Sequence, residues 1–375
     1  METKARLDGL TPLRGLAALW VVLFHADVIL VFRQLGGLLD RTASGLISHG
    51  YLWVDFFFLL SGFVIAHAYG DRLRAGGGWR DYLAARFARI YPLHLATLVL
   101  LIPLRILAAI LFPAMQDGSW SSFMAWRAIP SNLLLTHAMN QHVYLSWNIV
   151  SWSIGAEWWA YVAALGLLPL IHGRPLWHAG VAALAGAAGL ATLVRLVPGH
   201  GLDITFDYGF LRCLFEFTLG LALHQAWRAG LLRDQLRGDV IPGILLFAIA
   251  LLFHRRIDDL AVVPLFMLLI LAVSYNEGWV SRLLAGRPLQ HLGEISYALY
   301  MMHGVWFMIF WFALPELQRR GLWVPQGSVQ CWGFAAGFIG LSLLSAELIH
   351  SAFEVPARVR LRRLLASAPP APVVK

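Results

Sequence analysis

Long apolar runs recur along the whole chain and are separated by short polar segments. A helix needs about 20 apolar residues in succession to cross the hydrocarbon core of a bilayer. The pattern predicts ten helical spans, of which the seventh and eighth are the shortest. Their predicted bounds are 12–32, 52–70, 88–112, 150–171, 178–197, 208–227, 240–254, 260–275, 293–314 and 330–352.

The composition supports this pattern. Of the 375 residues, 59% are hydrophobic and only 13% are charged, and the mean hydropathy is +0.67. A soluble domain has about 25% charged residues. The sequence therefore predicts an all-α polytopic integral membrane protein, a bundle of about ten transmembrane helices. We expect one transmembrane domain over residues 1–366 and a disordered Pro/Ala-rich tail over 367–375.

The formal net charge is +8, and its distribution indicates topology rather than nucleic-acid binding. The N-terminus, the even-numbered loops and the C-terminus contain 18 Lys and Arg residues, and the odd-numbered loops contain seven. Lys and Arg are in excess on the cytoplasmic side of membrane proteins. Both termini are therefore predicted to be cytoplasmic. Cys213 and Cys331 lie within apolar spans and suggest neither disulfides nor a metal site.

Arg14 and His25 are the most informative polar residues, because both lie in the first apolar span. Eleven residues of helix extend about 16 Å and return to nearly the same face. Arg14 would lie at the membrane surface and His25 near the middle of the bilayer. An ionisable group at that depth marks a functional site by default. The alternative is a snorkelling Arg and a hydrogen-bonded core His.

Arg86 and Arg89 are three residues apart and share one helix face at the start of the third span. Two guanidinium groups at a membrane edge suit phosphate binding. The alternative is a basic flank that contacts anionic lipid. Asp55 begins the second span, where it is either interfacial or orients a catalytic imidazole. Ser61 lies deeper, next to a glycine, and close helix packing explains it as well as a site does.

Glu157 lies in a long aromatic and apolar segment, where a carboxyl group acts as general acid or base or pairs with an Arg. Tyr297 and His303 lie on the ninth span, and a core His is the alternative for the latter. Arg212 and Glu216 have the i,i+4 spacing of an intramembrane ion pair. Four Trp residues follow a long outer segment and suggest an aromatic belt or a sugar-stacking surface: Trp147, Trp152, Trp158 and Trp159. No phosphate-binding loop, metal-spaced cluster or nucleophile elbow is present.

The ordered set of these pieces resembles the membrane acyltransferase-3 family. The matching segments are 7–10 with Arg14–Ala18 and His25, Phe56–Gly62, Arg86–Pro92, Ser151–Glu157, and Ile295–Tyr300 ending at His303. Each segment is weak by itself, but the set occurs in the family's order over most of the spans. The resemblance implies an acyl-CoA-dependent O-acyltransferase of the bacterial cytoplasmic (inner) membrane, most often an acetyltransferase that modifies glycans.

In the mechanism that we expect, Arg14, Arg86, Arg89 and Ser61 hold acetyl-CoA, and no metal takes part. His25 acts as general base on the acceptor hydroxyl. Asp55 or Glu157 orients His25, and Tyr297 or Ser61 donates to the oxyanion. An acyl-histidine relay across the membrane is the alternative mechanism.

The expected partners are acyl-CoA, a carbohydrate or lipid-linked glycan acceptor, and membrane lipid, without nucleic acid. The sequence is compatible with a homo-oligomer. Two other functions use the same residues without acyl chemistry: a transporter or flippase of a sugar or lipid-linked sugar, and a structural subunit of a polysaccharide-export complex.

Overall fold

The computed structural model describes residues 7, 9–113, 116–199, 201–322 and 324–365. Within these residues the chain is helical and has no strand. Lys4, Arg6, Asp8 and the predicted tail 367–375 lie outside the described residues. The helices are α1 (Leu10–Phe32), α2 (Trp53–Arg74), α3 (Trp79–Leu111), α4 (Trp120–Phe123), α5 (Ile129–Leu133), α6 (Trp152–Ile171), α7 (Leu176–Leu196), α8 (Gly209–Arg228), α9 (Arg233–Leu236), α10 (Val240–Arg255), α11 (Val262–Tyr275), α12 (Trp279–Leu284), α13 (Arg287–Glu294), α14 (Ser296–Arg319), α15 (Gly327–Ile349) and α16 (Val355–Leu365).

Each of the ten predicted spans coincides with one of these helices, which are α1, α2, α3, α6, α7, α8, α10, α11, α14 and α15. Seven helical segments are long and apolar enough to cross a bilayer, by length and composition alone. α10 and α11 are shorter, and α8 is not among the seven. The chain is therefore a polytopic helical membrane protein. That it crosses the membrane about ten times, and that both of its termini are cytoplasmic, remain predictions.

The largest difference from the predicted bounds is at α3, which begins at Trp79 rather than near residue 88. The sequence between them is rich in charge, and hydropathy cannot detect a helix that continues beyond the apolar core. Gly78, at φ +71°, makes the turn from α2 into α3 in the left-handed region that favours glycine. Arg86 therefore lies inside a helix, one turn from Arg89.

α8 lies at the centre of one half of the bundle and packs against α2, α6 and α7. Its closest approach to α2 is at two glycines. A Cβ on Gly62 would meet the backbone of Phe217 and Gly220, and a Cβ on Gly220 would meet the backbone of Leu59 and Gly62. Small residues allow such close crossings in membrane proteins. The packing interpretation of the Ser61-Gly62 pair is therefore correct for Gly62.

In the other half of the bundle, α1 packs against α13, α14 and α15. Gly15 and Gly293 bring α1 against the end of α13, because a Cβ on either would collide with the opposite helix. After α15, a π-helical turn (His350–Glu354) leads into α16, which packs against α3.

The segment between α3 and α6 consists of short helical pieces, among them α4 and α5. Trp147 and Trp152 are buried, and the indole N–H of Trp147 donates to the carbonyl of Ala125 at 2.9 Å. The expectation of a belt or a sugar-stacking surface is therefore wrong for these two residues, because neither ring is accessible to lipid or to a sugar.

The glycine crossing generates a stability prediction. We expect Gly220→Ala to lower the melting temperature in detergent, because the added methyl group meets backbone atoms that cannot rotate away. Gly337→Ala is the matched control. Its Cβ would enter open space, and Ala is favoured over Gly in a helix by about 1 kcal/mol. An equal melting temperature for the two variants would contradict the close contact between α2 and α8 at Gly62 and Gly220.

Candidate functional site

A cavity of about 870 Å³, including its open mouth, lies between α1, α2, α3, α6 and α14, and its lining combines apolar side chains with charged and hydroxyl groups. Six of the eight predicted site residues line it, and Asp55 and His25 do not. The six are Arg14, Ser61, Arg86, Arg89, Glu157 and Tyr297. Five helices thus bring together side chains that are up to 283 positions apart in the chain.

Glu157 accepts hydrogen bonds from two hydroxyl groups inside this cavity. The hydroxyl of Ser61 donates to its Oε1, and the hydroxyl of Tyr161 donates to the same oxygen at 2.6 Å. Of the two alternatives for Ser61, close packing applies to its neighbour Gly62, whereas the Ser61 side chain faces the cavity. Tyr161 was not predicted, although it lies one helical turn after Glu157 and shares its face.

Arg14 lies at the junction of α13 and α14. Its guanidinium donates to the carbonyl of Gly293 and to the hydroxyl of Ser296, both at 3.1 Å. A cation at the C-terminal end of a helix stabilises the exposed carbonyls there. Arg14 therefore has a structural role, and it also faces the cavity, close enough to Arg89 and Glu157 for their charges to interact.

Arg86 and Arg89 contact different partners. Arg86 donates to the hydroxyl of Tyr69 at 3.0 Å. Arg89 donates to Glu354 at 2.6 Å, and Glu354 is only 2% exposed. Glu354 lies in the π-helical turn before α16 and also accepts from the ring of His350 at 2.9 Å.

A second, open cavity of about 1310 Å³ adjoins the first and shares Arg14, Arg86 and Arg89 with it. We call this cavity the basic vestibule, and the end of the bundle where it lies the basic end. Arg358 and Arg362 of α16 add two guanidinium groups to its lining. The sequence analysis assigned these residues only to topology. The spacing of four residues, which places both on one helix face, was the signal that could have identified them.

The two hydroxyls predicted as oxyanion donors already donate their protons elsewhere. Tyr297 donates to the carbonyl of Ile90 at 2.5 Å, and Ser61 donates to Glu157. Either would have to break a buried hydrogen bond before it donated to a reacting oxygen. In this state of the protein neither is positioned as an oxyanion donor.

Asp55 does not orient His25, which corrects that expectation. Both of its oxygens accept from Arg212 of α8, at 2.7 and 2.6 Å, and both residues are fully buried. A bidentate pair in an apolar bundle compensates two charges that could not be left single there. The predicted Arg212–Glu216 pair is also corrected, since Arg212 pairs with Asp55, and Glu216 lies next to Asp55.

His25 lies against His303 of α14. The centroids of the two rings are 4.9 Å apart, and Nε2 of His303 is 3.3 Å from Nδ1 of His25. Nδ1 of His25 is 2.9 Å from the carbonyl of Val21, and Nδ1 of His303 is 3.2 Å from the carbonyl of Leu299. Carbonyl oxygens only accept, so both Nδ1 atoms carry protons.

This assignment fixes the roles of the remaining nitrogens. Nε2 of neutral His303 is an acceptor for the Nδ1–H of His25, and Nε2 of His25 has a free lone pair. Among the described residues, Nε2 of His25 has no hydrogen-bond partner. His25 is thus held in the tautomer that a general base requires, and His303 takes the position that the sequence analysis gave to Asp55 or Glu157.

Tyr300 connects the cavity to the two histidines. Its ring lines the inner part of the cavity, and its centroid is 5.3 Å from that of His303. Its hydroxyl lies 2.8 Å from the hydroxyl of Ser153. One aromatic ring therefore separates the cavity from the histidine pair.

Residues 7–346 match the model of the acyltransferase-3 family, which is described as an acyltransferase domain. The chain belongs to this family. It is similar to the acyltransferase MdmB of Streptomyces mycarofaciens, with 29% identity over 390 aligned residues that cover 97% of this chain and 95% of MdmB. No solved structure matches the chain.

A second relative, protein 2 in the picA locus of Rhizobium radiobacter, is 46% identical over 96 residues, which are 25% of this chain and 42% of that protein. The predicted family is thereby confirmed. The chain is an acyltransferase with several membrane helices, and its chemistry requires an acyl donor and an acceptor. Among the described residues, no group of three or more His, Cys, Asp or Glu is arranged to hold a metal ion.

The Asp55–Arg212 pair generates a second prediction. We expect Asp55→Leu to destabilise the acyltransferase by about 3–5 kcal/mol, because the buried guanidinium of Arg212 loses both hydrogen bonds to its carboxylate partner. The double variant Asp55→Leu with Arg212→Met should be more stable than the Asp55→Leu single variant. Thermal unfolding in detergent measures both effects.

The exposed Arg72–Asp81 pair provides the control, since Asp81→Asn should change stability by at most about 1 kcal/mol. Wild-type stability of Asp55→Leu would show that the buried pair is not a structural requirement.

Proposed function

We propose that this acyltransferase transfers an acyl group, most simply acetyl, from acyl-CoA to a hydroxyl of a carbohydrate acceptor. One observation carries the proposal: the basic vestibule continues into a cavity lined by Tyr300, and the ring of Tyr300, which has to move aside for the transfer, lies between this cavity and the His25–His303 pair. A donor with a polyanionic head and a neutral, elongated arm that ends in a reactive thioester matches this sequence of environments.

The donor enters from the basic end, which faces the cytoplasm in this proposal. Arg14, Arg86 and Arg89 line both cavities and therefore bind the phosphates where the arm begins. The arm passes Glu157, whose carboxylate is a hydrogen-bond acceptor for the amide N–H groups of pantetheine. Ser61 and Tyr161 hold that carboxylate in place.

The reaction occurs at His25. Its Nε2 removes the proton from the acceptor hydroxyl as the oxygen attacks the thioester carbonyl. The new C–O bond forms, the C–S bond breaks, and the released thiolate takes up the proton. His303 stabilises the required tautomer and the imidazolium, as a carboxylate does in other histidine-based sites. A general base of this kind contributes about 10²–10⁴-fold to the rate.

The remaining predicted residues have narrower roles. Tyr297 lines the cavity against Arg89 and keeps that guanidinium in position, with its ring centroid 5.5 Å from Arg89 Cζ. Asp55 acts through Arg212 and the packing of α2 on α8. The acceptor is a surface polysaccharide or a lipid-linked sugar, and the enzyme acts in the bacterial inner membrane.

The first test is release of free thiol from acetyl-CoA by the purified protein in detergent, with and without glycan acceptors. Wild type should release thiol, and His25→Ala should lose about 10²–10⁴-fold in rate because the base is gone. Its affinity for CoA should stay near that of wild type, since His25 does not line the vestibule. His254→Ala, an exposed histidine on α10, is the control.

Full thiol release by His25→Ala would overturn the proposed base. If wild type neither binds acetyl-CoA nor releases thiol from it, the donor assignment is wrong, and transport of a sugar or lipid-linked sugar by the same residues becomes the leading function.

The His25–His303 contact makes a separate prediction. His303→Gln keeps a hydrogen-bond acceptor near Nδ1 of His25, whereas His303→Leu does not. We therefore expect the Gln variant to retain more activity than the Leu variant, with the loss in kcat and little change in KM. Equal activities of wild type and His303→Leu would show that His303 does not position the base.

A further inference from the structure

α16 supplies a wall of the basic vestibule and lies beyond the residues that match the family model, which end at 346. Its sequence contains four arginines in six positions, Arg358, Arg360, Arg362 and Arg363. Only Arg358 and Arg362 line the vestibule, because residues four apart share a helix face. The other two lie on the same helix without lining it.

A buried ion pair fixes the position of this helix. Glu354, one residue before α16, accepts from Arg89 of α3 at 2.6 Å and from His350 at 2.9 Å. Arg358 is 3.8 Å from the same carboxylate. Because Glu354 is only 2% exposed, the contact anchors α16 to the helix that carries Arg86 and Arg89.

The positive charge of the side chains in the vestibule exceeds the negative charge of the carboxylates around it. Five guanidinium groups line it, from Arg14, Arg86, Arg89, Arg358 and Arg362. The described carboxylates at this place are Glu294 in the lining and Glu354 behind Arg89. The charge of Arg358 interacts with those of Arg86, Arg89 and Arg362. Such a cluster is unfavourable until a multivalent anion enters it.

The arginines lie at two depths, which correspond to successive groups along such an anion. Arg14, Arg86 and Arg89 line both cavities, so they lie at the junction where the neutral arm meets the phosphates. Arg358 and Arg362 line the vestibule alone and are therefore farther from Glu157. In acyl-CoA the diphosphate follows the pantetheine arm, and the phosphomonoester on the ribose is more distant from the thioester.

We propose that Arg358 and Arg362 form a subsite for the ribose 3′-phosphate of the donor, so that α16 selects CoA over carriers that lack this group. The inference rests on the proposed use of acyl-CoA and extends it to a part of the chain outside the family match. A phosphomonoester carries about −1.5 to −2 charges at neutral pH, which suits a pair of guanidinium groups.

The test compares equilibrium binding of CoA and 3′-dephospho-CoA to the full-length protein in lipid-free nonionic detergent. Wild type should bind CoA about tenfold or more tightly than 3′-dephospho-CoA, as expected for a lost charge-assisted contact. Arg358→Ala with Arg362→Ala should weaken CoA binding by a similar factor and leave the affinity for 3′-dephospho-CoA unchanged. The single variant Arg362→Gln, at an exposed position, should give part of this effect with an unchanged melting temperature.

The matched control is the double variant Arg360→Ala with Arg363→Ala, which removes the same charge from the same helix. It should leave the ratio of the affinities for CoA and 3′-dephospho-CoA unchanged. The subsite is wrong if wild type binds the two ligands equally, or if the two double variants behave alike. It is also wrong if the Arg358 and Arg362 variants alter only the binding of anionic lipid added to the detergent micelles, which would identify a headgroup contact. Absence of CoA binding by wild type would instead remove the proposed donor itself.

Discussion

The bidentate bond between Asp55 and Arg212 is the interaction on which the bundle depends. Two opposite charges are fully buried in an apolar interior, and neither is tolerable there without the other. The bond joins α2 to α8 on the same pair of helices that cross at Gly62 and Gly220. The other face of α2 is thereby fixed toward the cavity, where Ser61 contacts Glu157 of α6.

A gradient of polarity follows from this packing. The basic end has five guanidinium groups around an open vestibule, the next level has a single carboxylate held by two hydroxyls, and the inner level has two neutral histidines among aromatic rings. Each level suits one part of an acyl-CoA molecule. In the proposed mechanism His25 is the base at the inner level, and its tautomer is set by Val21 and His303.

The sequence predicted the helices well because membrane spans are long, apolar and nearly free of charge. Most of the predicted site residues line the cavity for a related reason, since a polar residue such as Glu157 is conspicuous in an apolar helix. The partners of these residues were harder to infer. Local spacing paired Arg212 with Glu216, but the preferred partner is Asp55, 157 positions away, because tertiary packing brings α2 against α8. The sequence contains His303 and Arg358 but does not indicate their partners. Only the fold shows that His303 contacts His25 and that Arg358 lies near Glu354.

The most direct test is the position of a bound, non-hydrolysable acetyl-CoA analogue, determined by electron cryo-microscopy of the purified acyltransferase. Our account predicts the nucleotide in the basic vestibule, the pantetheine arm beside Glu157, and the acetyl carbon next to Nε2 of His25. A nucleotide bound at the opposite end of the bundle, or an acetyl group separated from His25 by the ring of Tyr300, would contradict it.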